Sequence, residues 1–369
     1  LTNMNKLRLI FSAGGTGGHI FPAVAVAREL VALNPNTEIL FVGASGKMEM
    51  DKIPEAGFEI VGLPVAGLKR SLSLDNLVLP FKVLRSLTMA RKIMKSFKPA
   101  AVVGFGGYAS FATGFAARMV GVPLYLQEQN AFPGLTNRLL ARFAKRIFVA
   151  ADGLDSYFPA SKLALYGNPV RPELENAQPE KATAMESLGF NPALPMVFVT
   201  GGSLGALAIN EGMERALPQL CNAGIQVYWQ SGIPFKERAE RAVAAVGTNQ
   251  VKTTVFCSDM AVAYAAADLV VSRAGAIALA ELALLGKAAI LVPLPTAAEN
   301  HQFHNAQNLE RNSAAWLLEN NLAPETLGSV IQSILNDTNA CAARAQNIKQ
   351  HAFPKAARKI AENILNDLV

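Results

Sequence analysis

Two glycine-rich stretches hold the residues best placed to do chemistry: Gly14-Gly15-Thr16-Gly17-Gly18-His19 and Gly201-Gly202-Ser203-Leu204-Gly205. Residues without side chains let backbone N–H groups approach a ligand, and the positive end of a following helix favours an anion. Both stretches therefore suit a phosphate, although a glycine turn that merely packs a helix closely on a strand would look the same. Ile20 stands where the third glycine of a G-x-G-x-x-G dinucleotide fingerprint belongs, so that match is incomplete. His19 adds an imidazole at the mouth of the first loop. Beside a helix N-terminus the imidazolium is disfavoured, which leaves a neutral ring able to take a proton.

The second stretch also fits G-x-S-x-G, the nucleophile elbow of serine hydrolases, with Asp259 or Asp268 and then His301, His304 or His351 in the required chain order. An elbow leaves the matching first loop unexplained. A diphosphate held by N–H groups after Gly202, with Ser203 donating its hydroxyl, accounts for both. Labelling with a serine-directed fluorophosphonate separates the two. A third cluster, Gly104-Phe105-Gly106-Gly107-Tyr108, either binds another anion or packs a tight strand-to-helix turn. Gln127-Glu128-Gln129-Asn130 ends an apolar run and supplies amides. Glu281, one to two turns into the helix expected after Gly275, could accept hydrogen bonds from both hydroxyls of a ribose, or could serve only as a dipole partner. Glu299-Asn300-His301-Gln302 is a polar loop. No D-x-D pair, H-E-x-x-H or P-loop lysine occurs, so a metal-assisted departure of diphosphate is not expected.

The elements that must position these groups alternate in type. Strand-like runs at 7–11, 38–42, 101–103, 123–127 and 146–150, then at 196–200, 226–230, 251–256, 269–272 and 288–293, are separated by helical stretches. This is the βαβ pattern of parallel, doubly wound sheets. The two loops lie 187 residues apart, about one domain's length. Two α/β domains facing a cleft are expected, joined by the proline-bounded segment Tyr166–Pro172. The helical segment Lys355–Val369 could finish the second domain or cross back to the first.

At 369 residues with 51% hydrophobic and 17% charged residues the chain is a well-buried globular protein. No apolar run reaches the ~18 residues of a membrane span, and the start shows no signal-peptide progression. Three scattered cysteines suggest neither a disulfide framework nor a zinc site, and a cytoplasmic setting is expected. Charge is uneven: residues 1–166 carry a net +9 and the remainder −3. Within 69–98 eight basic residues face only Asp75 and mingle with Leu72, Leu79, Phe81 and Leu84. Such a segment is either an ordinary helix with a solvated basic face or a patch that docks on an anionic membrane. No stacking platform points to nucleic acid.

In order and spacing these motifs resemble the MurG family of bacterial lipid I N-acetylglucosaminyltransferases, across nearly the whole chain. The stretches that carry the likeness are Gly14–His19 with Phe21-Pro22, Gly104–Tyr108, Glu128–Asn130 with Gly134–Asn137, Asn168–Arg171, Gly201–Ala206, Arg273–Glu281 and His301–Ala306. The resemblance implies a GT-B fold: an acceptor- and membrane-binding domain over 1–168, with the helix over 355–369 packing back on it, and a UDP-GlcNAc-binding domain over 169–354. It implies transfer of GlcNAc from UDP-GlcNAc to the C4 hydroxyl of MurNAc in lipid I, inverting the anomeric centre, without metal or cofactor. The setting would be the cytoplasmic face of the plasma membrane. Residue by residue, Thr16, Gly17 and Gly18 border the donor sugar and diphosphate. Asn130 and Gln302 meet the GlcNAc, and Arg171 and Ser203 the diphosphate. The backbone at Cys257 and the turn Ala276, Ile277, Ala278, Leu279, Ala280 meet the uracil, and Glu281 takes the ribose. His19 is the favoured general base. Other lipid-acceptor transferases of this architecture and UDP-GlcNAc 2-epimerases are the neighbouring alternatives, with a serine hydrolase using Ser203 behind them.

Overall fold

The computed structural model describes residues 6–15, 17–64, 79–175, 178–202, 204–297 and 300–368, with backbone alone at 79 and 80. The chain divides into two compact units. One runs up to Arg171 and resumes at Phe353; the other is Pro172–Ala352.

In the first unit seven strands form one parallel sheet: β1 (Leu7–Ser12), β2 (Thr37–Ala44), β3 (Glu59–Leu63), β4 (Ala101–Gly104), β5 (Leu124–Glu128), β6 (Arg146–Val149) and β7 (Leu163–Leu165), in the order β3-β2-β1-β4-β5-β6-β7. Successive side chains of a strand point to opposite faces. Leu9, Phe11 and Phe41 therefore join one buried layer, and Ile10, Leu40 and Val42 the other. Burial on both faces is what lets these strands read as continuous apolar runs. The last helix, Ala356–Leu368, places Ile360, Ala361 and Ile364 in the layer of Leu9 and Phe11. It is further tied by Lys145 Nζ donating to the Asp367 carbonyl oxygen at 2.9 Å.

The second unit repeats the plan with β8 (Met196–Thr200), β9 (Gln226–Gln230), β10 (Val251–Thr254), β11 (Leu269–Ser272), β12 (Ala289–Leu291) and β13 (Trp316–Leu317), parallel throughout and ordered β10-β9-β8-β11-β12-β13. Val197 and Val199 face one layer, Met196 and Phe198 the other. Both units are thus Rossmann-like, the pair of domains that defines a GT-B fold.

Each sheet reverses its strand order once, between β1 and β4 and between β8 and β11. At such a point neighbouring strands send their connections to opposite faces, which opens a crevice at their carboxyl ends. The glycine stretches lie at these two crevices: Gly14–Gly18 after β1 and Gly104–Gly107 at the end of β4, then Gly201–Gly205 after β8 and Arg273–Gly275 after β11.

Candidate active site

In the first unit the two glycine loops pack on one another. A Cβ at Gly107 (φ 85°) would stand 2.4 Å from the Gly14 carbonyl oxygen. One at Gly106 (φ 103°) would stand 2.9 Å from His19 Nε2. The cluster after β4 is therefore shaped to admit the Gly14 carbonyl and the imidazole. Of its two readings, packing is the one these contacts support. His19 lies half-buried in the first turn of the helix Gly17–Leu33, with Nδ1 2.9 Å from the Gly14 carbonyl oxygen. A carbonyl can only accept, so Nδ1 bears the hydrogen and Nε2 of the neutral ring keeps its lone pair. This geometry is what a general base requires. Gly17 and Gly18 open the same helix, and Thr16 lies outside the described residues. The Arg171 guanidinium lies 5.9 Å from the centroid of the Phe21 ring, one turn further along.

The end of β5 is organised by Glu128, which is 1% exposed. Its Oε1 accepts from the backbone N–H of Asn130 at 3.0 Å and from Asn130 Nδ2 at 3.3 Å. Its Oε2 accepts from the Gly134 N–H at 3.1 Å and Asn137 Nδ2 at 2.9 Å. Burial raises the carboxyl's pKa, and these donors pull it back toward the charged form. With both oxygens engaged, Glu128 fixes the turn from Asn130 to Asn137. Gln127, Gln129 and Asn168 extend the buried network, Asn168 Nδ2 donating to the Gln129 carbonyl at 2.9 Å and Gln129 Nε2 to that of Phe105 at 2.8 Å.

In the second unit Gln230, at the end of β9, joins two expected ligand contacts. Its Nε2 donates to the Gly202 carbonyl at 2.8 Å, and its Oε1 accepts from the Cys257 N–H at 2.9 Å. Ser203 lies outside the described residues. Glu281, 2% exposed, sits in the second turn of the helix Ala276–Leu285, where its Oε2 accepts from the hydroxyl of the buried Tyr264 at 3.0 Å. Ala276 to Ala280 form the open first half of that helix, all half-buried. Arg273, just before it, donates from one nitrogen to the carbonyls of Val292 (3.0 Å) and Pro293 (3.1 Å) and to Asn320 Oδ1 (2.7 Å). Burial lowers its pKa to about 10, so a full positive charge remains beside the crevice at neutral pH. Gln302 Oε1 accepts from the Leu294 N–H at 3.0 Å, which ties its helix to the loop after β12.

The acids that a serine elbow would need are used elsewhere. Asp259 caps the helix Met260–Ala266 by accepting from the Val262 N–H at 3.0 Å. Asp268 accepts from the Met196 N–H at 2.9 Å and pairs with Lys181. Sequence reasoning assigned no role to Glu49, Gln230 or Tyr264. Of these, only Tyr264 carries a sequence signal, as the one aromatic in the alanine-rich run 260–267; Glu49 and Gln230 are single polar residues whose partners are remote in sequence.

Outside the crevices, the helix Leu79–Phe97 shows a mixed surface: Phe81 is 74% and Leu84 64% exposed, beside exposed Lys82, Arg85, Arg91, Lys92 and Lys95. It packs against the helix Tyr108–Val120, whose Met119 is exposed. That helix in turn packs against Leu135–Leu140, with Leu135 and Leu139 exposed and Arg138 between them. Leu72, Leu77 and Val78 lie outside the described residues, as do the side chains of Leu79 and Pro80. No helix among the described residues is long and apolar enough to cross a membrane.

Comparison with known proteins places this geometry. The model of the glycosyltransferase family 28 N-terminal domain matches residues 9–149, and that of its C-terminal domain residues 196–360. A UDP-N-acetylglucosamine--N-acetylmuramyl-(pentapeptide) pyrophosphoryl-undecaprenol N-acetylglucosamine transferase of Cytophaga hutchinsonii is 44% identical over 357 residues, 97% of this chain and 96% of its own. That of Bacteroides thetaiotaomicron is 44% identical over 362 residues, covering 98% and 97%. The crystal structure of Acinetobacter baumannii MurG superposes with a TM-score of 0.77 at 31% identity, covering 98% and 99% of the two chains. A UDP-N-acetylglucosamine 2-epimerase shares the fold alone, at a TM-score of 0.64 and 15% identity. With two Rossmann-like units, a glycine loop at each switch point and end-to-end similarity to these transferases, the chain belongs to glycosyltransferase family 28.

Proposed function

We propose that the protein transfers GlcNAc from UDP-GlcNAc to the C4 hydroxyl of MurNAc in undecaprenyl-diphosphoryl-MurNAc-pentapeptide, giving a β(1→4) linkage without a metal. The observation that carries this reading is 44% identity, sustained over 97% of the chain, to transferases whose names specify that reaction. The acceptor oxygen attacks the anomeric carbon as the bond to UDP breaks, which inverts the centre in one displacement. His19 Nε2 takes the hydroxyl proton. Charge gathering on the departing diphosphate is met by N–H groups of the Gly201–Gly205 loop, by Ser203 and by Arg171, with Thr16, Gly17 and Gly18 bordering sugar and diphosphate. The uracil lies against the Cys257 backbone and the turn Ala276–Ala280, the ribose against Glu281, and the GlcNAc against Asn130 and Gln302. The first unit serves acceptor and membrane, the second the donor. Radiolabel transfer from UDP-GlcNAc to a lipid I analogue, undiminished by chelator, is the expected result. Conversion of UDP-GlcNAc to UDP-ManNAc without transfer would instead mark an epimerase.

The enzyme works as a peripheral protein at the cytoplasmic face of the plasma membrane, docked by the mixed surface around Phe81, Leu84, Lys82 and Arg85. A buried large apolar side chain contributes about 1.5–3 kcal/mol and a basic residue at an anionic surface about 1 kcal/mol. Phe81→Ser, Leu84→Ser, Lys82→Glu and Arg85→Glu combined should abolish co-flotation with phosphatidylglycerol vesicles. Turnover of a short-chain, water-soluble acceptor should persist. Flotation equal to that of the parent protein would place the membrane contact elsewhere.

A further inference from the structure

Beneath the first glycine loop lies a buried carboxylate that the reaction as described does not use. Glu49, the first residue of the helix Glu49–Glu55, is 0% exposed. Its Oε2 accepts from the Gly15 N–H at 3.1 Å and its Oε1 from the Ala44 N–H at 2.9 Å. A Cβ added at Gly14 would stand 2.5 Å from Oε1, so the loop is built around this acid. The Gly14 carbonyl and the Gly15 N–H are opposite ends of one peptide unit. Its oxygen accepts from His19 Nδ1 at 2.9 Å, while its N–H donates to Glu49.

We propose that Glu49 acts on His19 through the Gly14–Gly15 peptide, a carboxylate–amide–imidazole chain that fixes the tautomer and strengthens Nε2 as a base. The proposal rests on the reading of His19 as the base toward the acceptor hydroxyl. An amide whose N–H donates to a carboxylate carries more negative charge on its oxygen, and linked hydrogen bonds strengthen one another by about 10–30% per bond. Excluded from water, the carboxylate's field is screened little. The arrangement performs what a carboxylate does directly for the imidazole of a catalytic triad: it orients the ring and stabilises the imidazolium. The acceptor hydroxyl proton goes to Nε2 and the Nδ1 hydrogen stays on Nδ1. No proton travels to Glu49, and the electron pair of the broken bond leaves with UDP. Glu49 is thus a positioning residue. Its carboxylate also engages the Gly15 N–H, which is therefore not offered to an anion at this loop. Among the described residues, Tyr108 at the start of its helix after Gly107 and Arg171 over Phe21 are the nearby ionisable side chains of the adjoining elements.

Nitrogen-15 NMR of the full chain labelled at its four histidines tests the chain directly, with His19→Gln assigning the His19 signals. The neutral His19 ring is expected as the Nδ1–H tautomer. In Glu49→Gln its titration midpoint should fall by about 0.5–1 pH unit, less than the roughly 1–3 units of a direct charge contact. The acidic limb of kcat should move by the same amount, while calorimetric UDP affinity stays unchanged. If Glu49→Gln does not fold, Glu49→Asp, which keeps the charge but withdraws it by one methylene, should shift the midpoint less and in the same direction. An Nε2–H tautomer in the parent protein, or a midpoint that ignores both substitutions, overturns the chain. Loss of turnover in His19→Ala alongside an immobile midpoint removes the chain and leaves the base. Retained turnover in His19→Ala, with a midpoint that still follows Glu49, removes the base and leaves the chain.

Discussion

His19→Ala should lower kcat by roughly 10²- to 10⁴-fold, the range of general-base catalysis, with the KM for UDP-GlcNAc changed by no more than about threefold. In barrier terms this is about 3–5 kcal/mol at 1.36 kcal/mol per decade. Two features localise so large an effect to the acceptor side. The Nδ1 hydrogen bond to the Gly14 carbonyl makes Nε2 the accepting nitrogen of the neutral ring, and the missing Cβ of Gly106 leaves room for the ring itself. The other buried acid at the crevice, Glu128, has each oxygen engaged by two donors, so its carboxylate is not poised to replace the imidazole. Steady-state kinetics with both substrates varied decide the matter. A variant with near-normal kcat and a sharply raised donor KM would assign His19 to phosphate binding, because loss of uniform binding raises KM alone.

Glu281→Ala should weaken UDP binding by about 10- to 100-fold and leave kcat at saturating donor within a few-fold. Hydrogen bonds to a charged group contribute about 1.5–3 kcal/mol each when net terms are measured, and the buried setting of Glu281 limits their screening by water. Tyr264→Phe should weaken UDP binding by less and in the same direction, since Tyr264 holds the carboxylate without forming part of the ribose contact. Removing the acid also takes away an acceptor of the Tyr264 hydroxyl, in a residue only 1% exposed. Circular dichroism and the denaturation midpoint of each variant therefore accompany the calorimetry. Unchanged UDP affinity in a folded Glu281→Ala would end the ribose assignment.

Most of the fold was legible because parallel strands buried on both faces leave unbroken apolar runs. Met196–Thr200, Gln226–Gln230 and Leu269–Ser272 coincide with the strands of the structure, and seven others differ by one or two residues at an end. The strands that passed unnoticed are β3, β7 and β13, all at sheet edges. β3 carries Glu59 and Gly62 among its five residues, and β7 and β13 span three and two residues, all half-buried. An edge strand needs only one neighbour and tolerates exposure, so it writes a weaker pattern. At the site, the glycine loops and His19 were readable because backbone approach demands glycine. The groups that brace them were not. Glu49 reaches Gly15 across 34 positions and Gln230 reaches Gly202 across 28, and a single acid or amide carries no periodic signal. The cluster at Gly104–Gly107 shows the limit plainly. Its spacing fitted an anion site and a packing turn equally, and only the positions of Gly14 and His19 separate them.

Whether the second unit holds the uridine nucleotide is decided by a crystal structure of the protein with UDP. The uracil should lie against the Cys257 backbone, the ribose hydroxyls on Glu281, and the diphosphate on the N–H groups of the Gly201–Gly205 loop. A nucleotide seated instead on the Gly14–Gly18 loop of the first unit, or no bound UDP at millimolar concentration, would contradict this placement.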